Sequence, residues 1–360
     1  MRKIIESLGF YVGTVIGAGM FALPYAVSRA GFGWSFFFFI FTFFLLTFFH
    51  LVYGKVAYSI AGKHRLPGHV RAVLGEKASF VSMIATMIGL FVALLVYGIL
   101  AGIFLRNITS VLTPFYWTII FFAGLAPFLF FRLERVGFIN FAFSVPIVLF
   151  VILLFVKALP LIRVANFVTP AVPDYLLPYG VFLFAFAGLS AIPEMVEVAR
   201  KRNHPTFSGV IMSGSLLIAI IYALFVAAVL GVAGSAVAPD ALSTLPRFFG
   251  RAIVVAGEFA ALFAVLTSYL AIGVDIRGIF HYDYGFSRWL SWLFAASVPF
   301  FLFLIGFGNF INTIEFLGAV TVALNGIFVL WLGVKKNIIS RALALPIGLA
   351  LLVGIGLFVV

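Results

Sequence analysis

Two short segments of this 360-residue sequence combine small residues with a proline inside long apolar runs. The first reads GTVIGAGMFALP over residues 13–24, and the second reads FAFAGLSAIPE over residues 184–194. Glycine and proline disfavour a helix by about 1 and 3 kcal/mol respectively, so each run is expected to break at these residues. A broken helix exposes backbone N–H groups at the start of one half and carbonyl groups at the end of the other. Such groups bind ions without any charged side chain.

The two segments together could bind a zwitterion, because one supplies N–H groups and the other supplies carbonyl groups. Backbone N–H groups at residues 18–20 carry partial positive charge at the start of a half-helix and suit a carboxylate. Carbonyls at residues 184–186, at the end of the other half-helix, suit an ammonium group. Glycine at positions 17, 19 and 188 lets a ligand approach the backbone closely. The predicted substrate-binding residues are Gly17, Ala18, Gly19, Met20, Phe184, Ala185, Phe186 and Gly188, with Tyr97 added on its position alone.

Both segments also have a purely structural interpretation. Gly9, Gly13 and Gly17 are spaced by four residues, which is the pattern that lets two membrane helices pack closely. Phe184 is one of 47 phenylalanines and could face lipid or the protein core. The occurrence of two such breaks in one chain favours a binding function over packing.

Ionisable residues inside the apolar runs are further candidates, since a charge at the centre of a bilayer costs about 2.5–3.5 kcal/mol. Glu194 directly follows the proline of the second segment. It either couples a proton or braces the half-helix, and we favour the brace. Glu258 is expected near the outer side, where it would serve a gate, while His50 is of a type that titrates near neutral pH. A hydrogen-bonded structural histidine is the favoured interpretation of His50, and all three residues are predicted as coupling or gating candidates.

The composition indicates which kind of protein must position these residues. Hydrophobic residues make up 64% of the chain and charged residues 9%, with a mean hydropathy of +1.25. Soluble domains carry roughly 25% charged residues, so a water-soluble fold and a disordered chain are both excluded. The net charge of +12 does not indicate nucleic-acid binding, because the basic residues punctuate the apolar runs instead of forming a patch.

Motifs of enzymes and cofactor sites are missing from the sequence. It has no cysteine, which excludes disulfides and thiolate metal sites. It contains no HExxH zinc motif, no GxxxxGK[ST] phosphate-binding loop and no GxSxG nucleophile motif. We therefore predict no enzyme activity, no organic cofactor and no bound nucleotide.

Long apolar runs predict an all-α integral membrane protein. A helix needs about 20 apolar residues to cross a hydrocarbon layer of roughly 30 Å. The runs are apolar on every face, whereas the strands of a membrane barrel would alternate apolar and polar residues. Eleven spans are predicted and numbered in chain order: 5–29, 33–58, 78–105, 114–131, 136–157, 176–198, 208–231, 251–275, 289–306, 310–333 and 340–359.

The basic residues orient these spans, since cytoplasmic loops carry an excess of lysine and arginine. With the N-terminus in the cytoplasm, 17 basic residues fall inside and 6 fall outside. We therefore predict a protein of the cell (plasma) membrane whose N-terminus is cytoplasmic and whose C-terminus lies outside.

The two broken spans are the first and the sixth, so each opens a block of five spans. Because five is odd, the second block is inverted relative to the first. Interrupted helices at matching positions of inverted halves are typical of the substrate site of a secondary transporter. We predict one transmembrane domain over residues 1–360, with repeats at 1–157 and 176–333 and an extra helix at 340–359.

The residues of both breaks resemble those of a known transporter superfamily. The pattern GTxIGAGMxALP at residues 13–24 resembles the first helix of the aromatic amino acid permeases of the tryptophan/tyrosine type. FxFxG at residues 184–188, with Pro193 and Glu194, resembles the sixth helix of the wider amino acid–polyamine–organocation superfamily. The resemblance implies the LeuT-type fold and amino acid transport. It also implies that Phe184 is the aromatic residue that caps the substrate.

Thr267 and Ser268 in span eight resemble the sodium site that sodium-coupled relatives form between spans one and eight. Backbone carbonyls near Gly13 and Ile16 would complete such a site, and hard oxygen ligands suit an alkali cation. The alternative is that both hydroxyls bond to the preceding turn of their own helix. Span five carries no mid-membrane lysine to occupy this space, which favours sodium, whereas the aromatic permeases are usually regarded as proton-coupled. The sequence leaves the coupling ion open between sodium and a proton.

The leading hypothesis is a secondary active transporter that carries a neutral, aromatic amino acid by alternating access with sodium or proton coupling. Spans one, two, six and seven would rock as a bundle against spans three, four, eight and nine. Its partners would be the amino acid, the coupling ion and the lipid bilayer. The alternatives are a carrier of another amino acid or amine, acting as exchanger or uniporter, and a channel. A channel is disfavoured because its filters generally need several identical subunits, and an interaction or insertion factor would leave the paired breaks unexplained.

Overall fold

The computed structural model describes residues 2–130, 133–168, 173–200 and 207–359, and within these ranges the regular structure is entirely helical. Phe131, the last residue predicted for span four, and three of the counted basic residues, Arg132, Lys201 and Arg202, lie outside the described residues. The α-helices are α1 (Arg2–Val15), α2 (Ala18–Ala30), α3 (Phe32–Ser59), α4 (Leu66–Leu74), α5 (Glu76–Thr109), α6 (Pro114–Leu125), α7 (Leu133–Ala158), α8 (Leu177–Ala185), α9 (Ile192–Arg200), α10 (Phe207–Ala233), α11 (Pro246–Phe249), α12 (Arg251–Gly278), α13 (Arg288–Leu304), α14 (Phe310–Phe316), α15 (Ala323–Lys335) and α16 (Arg341–Val359).

The predicted spans correspond to these helices. Among the described residues, seven helical segments are long and apolar enough to cross a bilayer. The pair α1 and α2 passes the same test as one span with a bend of 47°. Three shorter apolar segments, Pro114–Phe130, Val145–Leu161 and Arg288–Leu304, fall at the places of spans four, five and nine. The prediction of an all-α membrane protein with about eleven spans is confirmed.

Both predicted helix breaks are present. Span one ends its first half at Val15 and resumes at Ala18, and the break falls at the glycine that precedes α2. Pro24 lies inside α2 and does not mark the break. Span six ends its first half at Ala185 and resumes in a short 3₁₀ turn, Leu189–Ala191, that leads into α9. The breaks lie five spans apart, as an inverted repeat requires, while the repeat boundaries at 157 and 176 stay a prediction.

The buried fraction of each span distinguishes the central helices of the bundle from those that face lipid. In an apolar 18-residue stretch of span six 78% of the residues are buried, and the same share is buried in the corresponding stretch of span eight. By contrast only 11% of α16 is buried, so this helix lies at the periphery. Large side chains such as Phe36, Phe37 and Phe44 of α3 are more than half exposed. Such an apolar surface is compatible with lipid and not with water.

Two shorter helices mark the two ends of the bundle. Helix α4 connects spans two and three, and helix α11 connects spans seven and eight. We call the corresponding ends the α4 side and the α11 side. Span ten has a π-helical segment, Leu317–Val322, between α14 and α15. Such segments are rare and are frequently found at functional sites.

Candidate substrate and ion sites

The break of span one lies directly against the break of span six. A Cβ placed on Gly19 would be 2.6 Å from the Cα of Ala185 and 3.1 Å from Cδ1 of Phe184. No real side chain tolerates the first distance, and a backbone atom cannot easily move away. Glycine at position 19 is therefore required for the start of α2 to approach the end of α8.

Tyr222 of α10 joins the two breaks through a single hydroxyl group. Its Oη lies 3.0 Å from the carbonyl oxygen of Val15 and 2.8 Å from that of Ala185. These carbonyls end α1 and α8, where the helix itself supplies no donor. The hydroxyl carries one proton and donates to one carbonyl at a time. Sequence reasoning missed Tyr222, although it is the one polar side chain of span seven between Ser215 and Ser235.

A cavity of about 80 Å³ opens beside the paired breaks. One wall is formed by spans one and six, including Gly19, Phe184 and Gly188, and the opposite wall by spans three, eight and ten, including Tyr97. These four residues were predicted for the substrate site, and all four line the cavity. It extends along one face of span three from Tyr97 to Thr86, a rise of about 16 Å along the helix.

The other predicted substrate residues lie next to the cavity without lining it. Ala18 and Met20 are fully buried at the start of α2, and Gly17 precedes them. Ala185 ends α8 behind Gly19. The ring of Phe186 points away from the cavity toward Tyr222 and toward Phe39 of span two, at centroid distances of 5.2 and 5.4 Å.

The four residues predicted for the ion site come together at the end of α1. The Ser268 hydroxyl oxygen lies 3.3 Å from the carbonyl oxygens of both Gly13 and Thr14, and 3.5 Å from that of Ile16. The Thr267 hydroxyl oxygen lies 3.4 Å from the same Gly13 carbonyl. Both side chains are fully buried.

This oxygen cluster has the electrostatics of a cation site. The C-terminal end of a helix carries partial negative charge, and the single Ser268 proton can serve one of three carbonyls. Oxygens that each lie about 2.4 Å from a shared cation at right angles are roughly 3.4 Å apart, so the observed spacings suit a Ca²⁺-sized ion such as Na⁺. Thr267 also donates to the Ala264 carbonyl at 2.8 Å, the within-helix bond of the structural alternative. That bond leaves the lone pairs of the Thr267 oxygen available.

Tyr97 connects the ion cluster to the cavity. A Cβ on Gly17 would lie 2.7 Å from the Ser268 hydroxyl oxygen and 3.0 Å from the Tyr97 hydroxyl oxygen, so both hydroxyls face the same small space. Gly17 therefore leaves room for both hydroxyls, and one side chain contacts both predicted sites.

His50 lies at the break of span six, on the side of Gly188 that faces span two. Its Nδ1 is 2.7 Å from the Tyr11 hydroxyl, which in turn is 2.9 Å from the Ser215 hydroxyl. Its Nε2 is buried without a hydrogen-bond partner among the described residues. A Cβ on Gly188 would be 3.5 Å from this nitrogen. Nδ1 of His50 therefore makes the hydrogen bond expected of a structural histidine, while its Nε2 has no partner among the described residues.

Glu194 lies outside the cavity, in an ion-pair cluster on the α4 side. It pairs with Arg65, which is 1% exposed and which sequence reasoning did not single out. Arg65 Nε also lies 3.0 Å from Asp275 Oδ1 of α12, and its Nη1 lies 3.5 Å from Glu197 Oε1 of α9. One arginine in the segment before α4 thus connects span six to span eight.

Glu258 belongs to a separate cavity on the α11 side. This cavity measures about 360 Å³ and is lined by Glu258, Arg106, Asn107 and Arg251 among others. The Asn107 amide donates a hydrogen bond to the Ser243 hydroxyl at 3.1 Å in the same cavity. Glu258 makes no contact with the substrate cavity, so any role of this residue in gating would be exerted from the α11 end.

Comparison with known proteins gives one family and several similar structures. Residues 1–343 match the tryptophan/tyrosine permease family, while a search of curated protein sequences finds no significant match. The crystal structure of MhsT in complex with L-phenylalanine aligns with a TM-score of 0.71 at 14% identity, over 98% of this chain and 97% of that chain. Mhp1, a nucleobase-cation-symport-1 family transporter in a closed conformation with bromovinylhydantoin bound, aligns with a TM-score of 0.63 at 14% identity, over 95% of this chain and 80% of that chain. These likenesses show the LeuT-type fold.

Proposed function

Because the chain belongs to the tryptophan/tyrosine permease family, we propose that it carries tyrosine or tryptophan through the cavity beside the two helix breaks, driven by an ion gradient. The chain is a secondary transporter of aromatic amino acids and not an enzyme. The observation that carries the proposal is the direct contact of the two broken helices beside one cavity. A site of this kind binds both charges of an amino acid with backbone groups alone.

The substrate would lie between the start of α2 and the end of α8. Its carboxylate would accept hydrogen bonds from the free N–H groups of Ala18 and Gly19, and its ammonium group would face the carbonyls that end α8. Phe184 lines the cavity at this point and is 8% exposed, which suits packing against the substrate. The aromatic side chain would extend along spans three and ten.

Binding of a large substrate would require the cavity walls to move. A cavity of about 150 Å³ is needed for benzene in a well-studied apolar site, whereas this cavity measures about 80 Å³. Ordered opening and closing is what alternating access demands. The Arg65 cluster would be one closure, because it ties span six to span eight on the α4 side. We infer from the excess of basic residues that this side is cytoplasmic and that the C-terminus lies outside. We propose the plasma membrane as the location of the transporter.

We propose sodium as the coupling ion, held by the carbonyls of Gly13 and Ile16 and by the hydroxyls of Thr267 and Ser268. The convergence of buried oxygens with too few protons supports this assignment. A proton carried by His50 is the second candidate, since its Nε2 is buried without a partner in the described part of the chain.

Uptake into proteoliposomes tests the proposal. Labelled tyrosine, tryptophan and leucine would be offered under a sodium gradient in one set and under a proton gradient in another. We expect sodium-driven uptake of tyrosine and tryptophan that Thr267→Ala reduces at least tenfold. Thr109→Ala, at the half-buried end of α5 and outside both sites, should leave uptake unchanged. Uptake driven by protons alone would refute the sodium assignment and favour His50. Correctly folded protein without aromatic uptake under either gradient would refute the proposed function.

A further inference from the structure

The substrate cavity carries a polar patch at the end distant from the ion cluster. Thr86 of span three donates a hydrogen bond to Asn325 Oδ1 of span ten at 2.9 Å, and both residues line the cavity. Between this pair and Tyr97 the same walls carry Gly89, Leu90 and Ala93. Thr321 of span ten also lines this stretch, but its hydroxyl donates to the Leu317 carbonyl at 2.7 Å. The wall opposite the helix breaks is therefore mainly apolar in its middle and offers unused polar groups at its far end.

The hydrogen bond between these residues leaves the amide of Asn325 incompletely used. Thr86, at 4% exposure, is buried, and its single proton goes to the amide oxygen. The two N–H donors of Asn325 have no protein partner within the described residues, and its side chain remains partly open to the cavity. Polar groups enclosed by apolar walls are nearly always hydrogen-bonded. Thr86 thus holds the Asn325 amide in an orientation in which its two N–H groups have a hydrogen-bond partner only when a ligand or water accepts from them.

The distance from the helix breaks to this amide fits an aromatic amino acid. At Gly318 span ten lies against α8, because a Cβ there would be 2.9 Å from the backbone nitrogen of Phe184. Asn325 follows seven residues later, a rise of at most about 10 Å, because the π-helical part of this stretch rises less per residue than an α-helix. A tyrosine measures roughly 6.5 Å from Cα to the phenol oxygen, and a hydrogen bond adds about 2.8 Å. A substrate anchored at the end of α8 would place its ring substituent at Asn325.

We propose that Asn325, held by Thr86, recognises the polar group at the far end of the substrate's aromatic ring. The amide donates to and accepts from a phenol hydroxyl, and accepts from an indole N–H. A phenylalanine ring would leave the amide unpaired. The transporter would therefore select tyrosine and tryptophan over phenylalanine at this position. The proposal rests on the proposed function and assigns the side-chain specificity of the same site.

Competition for labelled tyrosine uptake tests this assignment with full-length protein in proteoliposomes. Phenylalanine and O-methyltyrosine, which lacks the phenol proton, would compete in wild type and in Asn325→Leu and Thr86→Val. We expect wild type to prefer tyrosine to phenylalanine by about tenfold, the effect of one buried hydrogen bond. Both variants should reduce the ratio toward one by weakening tyrosine and not phenylalanine. Asn312→Leu, at an exposed position of α14, should keep the wild-type ratio.

The outcomes separate this proposal from the function on which it rests. A wild type that transports tyrosine and phenylalanine equally well would overturn the role of Asn325 and leave aromatic transport intact. Variants that lose both substrates in parallel would also overturn it, because they would show a structural role for the pair. If Asn325→Leu fails to fold, the two competitors in wild type and in Thr86→Val still decide the question. Absence of all aromatic uptake would overturn the proposed function, and this inference with it.

Discussion

Replacing Tyr222 by phenylalanine removes the one hydroxyl that joins the two helix breaks and leaves the aromatic ring in place. The lost group lies 3.0 Å from the Val15 carbonyl and 2.8 Å from the Ala185 carbonyl. The ring itself is fully buried and packs against Phe186. The substitution therefore creates no exposed surface and only a small void.

The expected cost follows from the number of bonds that one hydroxyl can make. Two carbonyls face the oxygen, but a single proton serves one of them at a time, so one hydrogen bond is lost and not two. Leaving a buried acceptor without a donor costs about 1–3 kcal/mol. If the whole cost falls on the substrate-bound state, tyrosine binding weakens by roughly fivefold to 150-fold.

Equilibrium binding of labelled tyrosine to purified protein measures this effect, together with the thermal unfolding midpoint. Tyr269→Phe is the matched control. Tyr269 is equally buried, and its hydroxyl has no hydrogen-bond partner among the described residues. Loss of that hydroxyl should be neutral or stabilising, because an unpaired polar group is removed from the core. Equal binding and equal unfolding midpoints for Tyr222→Phe and Tyr269→Phe would refute the bridging role of Tyr222.

Three further substitutions test other contacts. Gly19→Ala places a Cβ 2.6 Å from the Ala185 backbone. We expect this overpacking to cost about 1–3 kcal/mol of stability and to reduce substrate binding more than tenfold. Gly33→Ala, with open space around it, should change neither quantity in the same thermal and binding assays. Ser268→Ala removes the hydroxyl that faces three carbonyls and should raise the sodium concentration for half-maximal uptake at least tenfold. Ser213→Ala, at an exposed position, is the control. An unchanged sodium dependence in Ser268→Ala would contradict the ion site. Arg65→Gln leaves the buried carboxylates of Glu194 and Asp275 without their partner, so the unfolding midpoint should fall by an amount that corresponds to about 3–5 kcal/mol. Adding Glu194→Gln and Asp275→Asn should restore part of that loss, and no restoration would argue against the ion-pair cluster as its cause.

Part of the candidate site could be predicted from the sequence because it depends on local composition. Gly17 lies at the break itself, and its low helix propensity acts on span one without any knowledge of the neighbouring helices. The meeting of Thr267 and Ser268 with Gly13 and Ile16 followed from a resemblance and not from the residues alone. The structure brings these four residues together.

The packing separates residues that one sequence motif places together. Ala18 and Met20 share a motif with Gly19, yet Gly19 lines the cavity and the other two side chains are buried behind it. Glu194 follows the break of span six by six residues and nevertheless lies in the Arg65 cluster, because α9 carries it away toward the α4 side. Whether a side chain faces the cavity depends on how its helix packs against its neighbours, which a sequence motif does not specify.

The sequence by itself determined that this protein is a bundle of membrane helices with breaks in its first and sixth spans. Apolar run length, basic loops, glycine and proline act within a few turns of one helix, and a linear chain displays them directly. The tertiary structure alone decided that Tyr222 bridges the two breaks, that Arg65 joins span six to span eight on the α4 side and that Asn325 lines the cavity beside Thr86. These contacts join residues 37 or more positions apart in different elements. Their register is set by side-chain packing across the bundle, which no single segment of sequence contains.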